Sequence, residues 1–148
     1  MGPTIVRSEE VNYPLNVYMR PGTVMSLFNT STGLVFAAYM ESKFIEGMIE
    51  TEHFRFGGSP QHTLKRPWQE VEALLSEVRQ VGQARSIGLT VPGMNAISSP
   101  VFNHVRRLSL VMTIMGPAGT FDPSLEAEVA QRLRSCAAQI SAELGYRE

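Results

Sequence analysis

The chain has 148 residues, 43% of them hydrophobic and 18% charged, a balance that predicts one globular domain over residues 1–148 and excludes a disordered tail. Its 13 Lys and Arg residues against 14 Asp and Glu give a formal net charge of -1, which argues against direct binding to nucleic acid. The single cysteine excludes an internal disulfide and, with no signal peptide and no apolar run long enough to span a membrane, indicates a cytoplasmic protein.

The first part of the chain predicts two strands and a buried helix. Val11–Met19 and Thr23–Leu27 have the character of extended segments, and the Arg-Pro-Gly at residues 20–22 suits a turn between them. Several possible N-cap residues within Asn29–Gly33 precede the apolar run Leu34–Met40. We therefore expect a helix start here, whose first backbone N–H groups are available to a ligand.

Two further helices are predicted in the middle of the chain, on either side of a polar loop. The first has one apolar face, made of Phe44, Ile45, Met48 and Ile49. The loop, His53–Thr63, contains a Gly-Gly-Ser-Pro run and is the segment richest in residues that break regular structure. The next helix begins near Pro67 and ends at Gly82, with apolar positions at Val71, Leu74, Leu75, Val78 and Val81.

After Gly82 the apolar pattern changes from the period of a helix to that of strands. Ala84–Val91, Ala96–Asn103 and Leu108–Met115 are rich in β-branched and apolar residues, and His104–Arg107 joins the last two strands as a hairpin. A final helix is predicted with Asp122 as its cap, Pro123 as its first residue, an end at Gly145 and an apolar stripe of Leu125, Val129, Leu133, Ile140 and Leu144. This order predicts an α+β domain with a mainly antiparallel central sheet flanked by helices.

Residues that carry catalytic or metal chemistry are sparse. His53, His62 and His104 fall in predicted loops without the spacing of a metal site, and Cys136 is placed for close packing within the last helix. The serines lack a nucleophile elbow and the glycines lack a phosphate-loop pattern. We therefore expect no metal, no cofactor, no nucleotide and no catalytic activity.

Small polar residues at the ends of predicted elements remain, at Thr30–Gly33, Ser86, Asn95 and Thr113. Such groups orient a small ligand when apolar neighbours exclude water. They are also common as helix caps and strand hydroxyls, and their spacing alone leaves both interpretations open.

One stretch is more specific than this spacing. Pro92–Asn103, Leu110–Ile114, Met115–Pro117 and Phe121 resemble the effector-domain signature of IclR-type bacterial regulators, in which a Pro-Val-Phe strand is followed by a strand ending in Gly-Pro. Ile140–Gly145 resembles the end of that family's last helix. Earlier segments that are similar to the family are Tyr13–Leu15, Arg20–Thr23, Ser26–Gly33 and Val78–Gly82.

The resemblance implies a GAF-like fold that binds a small-molecule effector. It also implies a homodimer or homotetramer in which DNA is contacted only through an N-terminal winged helix-turn-helix domain, absent from this chain. The family's ligand contacts map onto Ser31, Thr32, Ser86, Leu89, Ala96, Thr113 and Met115.

Several positions depart from the family's pattern. Leu89 replaces an acidic residue of many members, Ala96 and Met115 replace more polar groups, and Asn103 replaces Asp. The departures predict a less polar effector than a small keto acid, such as an aromatic or extended carboxylic acid whose carboxylate meets the amides near Ser31 and Thr32. The alternatives are a free-standing GAF-like scaffold or interaction module and a small enzyme on a similar fold.

Overall fold

A computed structural model describes residues 2–10, 19–55 and 67–147. Within residues 19–55, the side chains are described as far as Met48. The predicted strand at Val11–Met19 and residues 56–63 of the predicted loop lie almost wholly outside these ranges. The elements are α1 (Ser31–Ala38), α2 (Ser42–Arg55), α3 (Trp68–Val81), β1 (Ala84–Ile87), β2 (Met94–Phe102), β3 (Leu108–Pro117) and α4 (Glu128–Glu143). The predicted α+β class, with an antiparallel sheet flanked by helices, is confirmed.

The described sheet has the order β1-β2-β3, and both pairings are antiparallel. Two rows of side chains cross it on the same face because they lie two residues apart on each strand. The upper row joins Ser86, Ala96 and Met115, and the lower row joins Ala84, Ser98 and Thr113. The register therefore gathers residues from three strands under one helix.

The strands begin and end at other residues than predicted. β1 ends at Ile87 rather than Val91, because Gly88 adopts a φ of 62° and its N–H donates to the Met94 carbonyl over 2.9 Å, which turns the chain. β2 begins at Met94 and ends at Phe102, and β3 continues to Pro117. The predicted hairpin between β2 and β3 is confirmed.

One face of the sheet packs against α1, and α3 packs on α1. Leu27, Val35, Ile45 and Leu75 are all 1% exposed or less and belong to this core. The predicted helix between Pro67 and Gly82 is confirmed, with Pro67 as its N-cap and Gly82 closing it in the left-handed conformation at a φ of 75°. This core holds α1 firmly against the sheet.

The opposite face packs against α4, where Ile97 contacts Ala130 and Leu133. The prediction that Asp122 caps this helix is wrong, because α4 begins at Glu128 with Ala127 as its N-cap. Asp122 Oδ1 instead accepts from the Ser124 N–H at 2.9 Å. A side chain that bonds its own nearby backbone in this way favours a turn over a helix.

The predicted strand Thr23–Leu27 is reduced to a short ladder with the N-terminal segment. The Ile5 N–H donates to the Thr23 carbonyl over 2.9 Å, and a single bridge joins Thr4 to Val24. Residues 26–30 leave this ladder to form the bend that precedes α1.

Three smaller predictions need correction. α2 continues to Arg55, so the first residues of the predicted loop His53–Thr63 are helical. Phe44 is 59% exposed although Ile45 is buried, so the predicted apolar face is narrower than expected. Cys136 is exposed rather than packed, because α4 turns its neighbour Ala137 toward the sheet.

Candidate functional site

The candidate site begins at the N-terminus of α1, which Thr30 caps. Thr30 has extended backbone angles, and its Oγ1 accepts from the Gly33 N–H at 2.8 Å while its hydroxyl donates to the Ser26 carbonyl at 2.7 Å. The first amides of an α-helix have no acceptor within the helix. With Gly33 capped by Thr30, the N–H groups of Ser31 and Thr32 are the amides of this first turn that have no acceptor among the described residues.

Four hydroxyl groups connect this helix start to the sheet, and we call them the hydroxyl chain. The Ser98 hydroxyl donates to Ser31 Oγ over 2.8 Å. Ser98 Oγ lies 2.7 Å from Thr113 Oγ1, which in turn lies 2.8 Å from Thr32 Oγ1. Ser31 and Ser98 are at most 1% exposed, whereas Thr113 is exposed, so the chain extends from the core to the solvent.

The structure thus brings together three of the residues expected from the resemblance, Ser31, Thr32 and Thr113, and adds Ser98 between them. The sequence predicted a strand at Ser98 but did not indicate this residue as a ligand contact. The signal that identifies it is its position two residues after Ala96, on the same face of the same strand.

Ser86 lies within β1 and connects to the bend before α1. Its Oγ is 3.3 Å from Thr90 Oγ1, and the Thr90 hydroxyl donates to the Asn29 carbonyl at 3.0 Å. Ser86 and Ala96 are buried, and Met115 is half-buried beside them in the upper row. Ala96 and Met115 of this row add apolar surface next to the hydroxyl chain.

Leu89 lies apart from both rows. It is 52% exposed in the connection between β1 and β2, one residue before Thr90. Its exposed apolar side chain can offer contact area to a ligand but no hydrogen bond.

The site is electrically neutral in its side chains, since its members are hydroxyl and apolar groups. Helix α1 has no charged side chain, so its electrostatic contribution to the site is the positive end of the helix dipole at its N-terminus. At the other end of α1, burial raises the pKa of the Tyr39 hydroxyl above its usual value, although the Arg79 charge opposes this. In the part of the chain that the structure describes, no group of three or more His, Cys, Asp or Glu side chains could hold a metal ion.

The fold and the site define a small α+β domain with a neutral, hydrogen-bonding surface at one helix start. The family described as "Bacterial transcriptional regulator IclR C-terminal" matches residues 3–142. The chain therefore belongs to this family, the effector-binding domains of IclR-type transcriptional regulators, and the resemblance inferred from its motifs is confirmed.

Relatives agree with this assignment. The crystal structure of Pseudomonas aeruginosa HmgR superposes with a TM-score of 0.82 at 32% identity, over 97% of this chain and 55% of that one. The HTH-type transcriptional regulator KdgR of Escherichia coli is 25% identical over 92% of this chain and 51% of its own length. Thermotoga maritima IclR shares the fold, with a TM-score of 0.72 at 21% identity over 93% of this chain and 55% of its own.

The chain thus spans about half the length of the full regulators that it matches. None of the helices described between residues 2 and 147 is both long and apolar enough to cross a membrane.

Proposed function

We propose that this chain senses a small molecule for a transcriptional regulator, with the effector held at the hydroxyl chain and the start of α1. The observation that carries the proposal is the hydroxyl chain, four hydroxyl groups from α1, β2 and β3 in which neighbouring oxygens lie 2.7 to 2.8 Å apart and one end is open to solvent. On the α4 side the sheet packs mainly through apolar side chains, and the buried amide of Gln83 there is bonded to Ser99 and to the Ala130 carbonyl.

The effector we propose is an aromatic or extended carboxylic acid. Its carboxylate would accept from the backbone N–H groups of Ser31 and Thr32, where the helix dipole favours an anion. Its apolar body would lie along Leu89, Ala96 and Met115, which supply contact area without hydrogen bonds. A small keto acid would leave these apolar side chains uncovered and would gain less from the site.

In the whole protein, residues 1–148 would form one sensing domain, and a winged helix-turn-helix domain N-terminal to them would contact DNA. Effector binding can change DNA affinity only by favouring one arrangement of domains or subunits over another. We propose a homodimer or homotetramer acting in the cytoplasm, where a transcriptional regulator meets its operator, with no cofactor.

An enzyme on this fold has little support from the site. The recorded partners of the most buried hydroxyl, Ser98, are Ser31 and Thr113, and neither can act as a general base. A free-standing scaffold is less favoured by the family match, because the family consists of regulator domains. We therefore propose binding without turnover.

Calorimetric titration of the purified protein with aromatic and small aliphatic carboxylic acids tests this function. We expect the aromatic acids to bind more tightly, and Thr113→Val to weaken their binding about tenfold because it removes one hydroxyl and keeps the side-chain shape. Thr120→Val is the matched control, since Thr120 lies in the exposed turn after β3. Equal affinity in the wild type and Thr113→Val would remove Thr113 from the site, and preference for small aliphatic acids would contradict the effector class.

A further inference from the structure

The hydroxyl chain has a direction of hydrogen donation that follows from its geometry. The Ser98 hydroxyl donates to Ser31 Oγ. A hydroxyl carries one hydrogen, so Ser98 has none left for Thr113 and must accept from it. The Thr113 hydrogen is then also used, so the Thr32 hydroxyl is the donor to Thr113. Donation therefore passes from the solvent end of the chain to the buried end.

This direction determines what the open end offers to a ligand. The hydrogens of Thr32 and Thr113 are both engaged within the chain, while their oxygen atoms keep unused lone pairs. We propose that the effector carries, besides its carboxylate, a hydroxyl or N–H group that donates to one of these oxygens, so that the site selects a hydroxy acid. The inference rests on the proposed function, because it names the chemistry of the effector bound at that same site.

The buried end of the chain keeps this direction in place. Ser31 and Ser98 are 1% and 0% exposed, so water has little access to either hydroxyl. Ser31 is the first residue of α1 after the Thr30 cap, and the β2–β3 register holds Ser98 opposite Thr113. A ligand that offered only an acceptor, such as an ether oxygen, would either take the Thr32 hydrogen away from Thr113, which costs one hydrogen bond, or require every hydrogen bond of the chain to reverse.

Matched ligands test the inference directly. We would titrate the protein with benzoate, its ring-hydroxylated derivatives and the corresponding methoxy derivatives, which keep the carboxylate and the ring but replace the donor by an acceptor. At least one hydroxy acid should bind about tenfold more tightly than its methoxy counterpart, the value of one hydrogen bond whose loss leaves a polar group unpaired.

A substitution within the chain should remove this selectivity. Ser98→Ala deprives the Thr113 hydroxyl of its acceptor, so Thr113 can donate to a methoxy oxygen and the tenfold ratio should fall toward equality. Ser99→Ala is the matched control, because Ser99 faces the other side of β2, where its Oγ accepts from Gln83 Nε2 at 2.7 Å. The ratio should be unchanged in this variant.

If Ser98→Ala does not fold, Ser31→Ala serves the same purpose, since removing the final acceptor frees the Ser98 hydrogen and lets the chain reverse. Equal binding of hydroxy and methoxy acids by the wild type, or a ratio that persists in both Ser98→Ala and Ser31→Ala, would overturn the inference while leaving the proposed function intact. A protein that binds none of the aromatic acids would contradict both.

Discussion

The two faces of the sheet are closed by different chemistry, and β2 shows the contrast within a few residues. Ile97 points toward α4 and is fully buried against Ala130 and Leu133. Ser98, the next residue, points toward α1 and exchanges hydrogen bonds with hydroxyls of α1 and β3. The α4 face packs mainly through apolar side chains, with Gln83 bonded to Ser99 and to the Ala130 carbonyl beside them. The hydroxyl groups of the α1 face instead extend from the core to the solvent at Thr113.

The largest effect on this contrast should come from Gly33→Ala, which forces the start of α1 away from the bend at Ser26 and Leu27. A Cβ at Gly33 would lie 1.9 Å from the Ser26 carbonyl oxygen and 2.5 Å from Leu27 Cα, so the helix start would have to move away. We expect a loss of about 3 kcal/mol or more in the free energy of unfolding, measured by urea denaturation. Effector binding should weaken in whatever fraction remains folded.

Gly47→Ala is the matched control for this substitution. Gly47 lies inside α2, and an added Cβ there meets nothing within 4 Å. Replacing a helical glycine by alanine in open space stabilises a protein by about 0.5–1 kcal/mol. Equal stability changes at the two glycines would show that α1 is not held as closely as the structure indicates.

The α4 face should respond to substitution in stability but not in binding. Leu133 is 3% exposed and packs on Ile97, so Leu133→Ala should cost about 2–4 kcal/mol in the free energy of unfolding. Leu144→Ala is the control, because Leu144 is 40% exposed and lies just beyond the end of α4. It should change the free energy of unfolding little. If Leu133→Ala lowered effector affinity at a temperature where it is fully folded, the two faces would not be independent.

The elements of the fold were predictable because local signals agree with their packing. Pro67 and Gly82 bound α3, and the β-branched strands follow at once. The start of α4 was not predictable from Asp122 and Pro123, which are as suitable for a turn as for a helix cap. Only the contacts of Val129 and Leu133 with the sheet show where the helix is needed.

The candidate site depends on strand register, which the sequence does not reveal. Phe102 pairs with Leu108, and an uninterrupted hairpin would place Ser98, four residues before Phe102, opposite Met112, four residues after Leu108. A register shift between Val101 and Phe102 instead pairs Ser98 with Thr113. Because a slip of one residue moves a side chain to the other face, this irregularity creates the hydroxyl chain.

The smallest effect concerns the far end of the α1 face, which is closed by aromatic rings instead of hydroxyls. Tyr39 follows α1 and packs edge-on against Phe102, with ring centroids 4.9 Å apart. Because burial raises the pKa of the Tyr39 hydroxyl above 10.0, the unfolded chain loses this proton first as the pH rises. Stability should therefore decline above the ordinary tyrosine pKa and through the raised one. Tyr39→Phe keeps the ring contact but removes the hydroxyl, so its free energy of unfolding, measured by urea denaturation at alkaline pH, should fall less steeply than that of the wild type. An identical fall in the two proteins would show that the Tyr39 hydroxyl is not shielded from solvent.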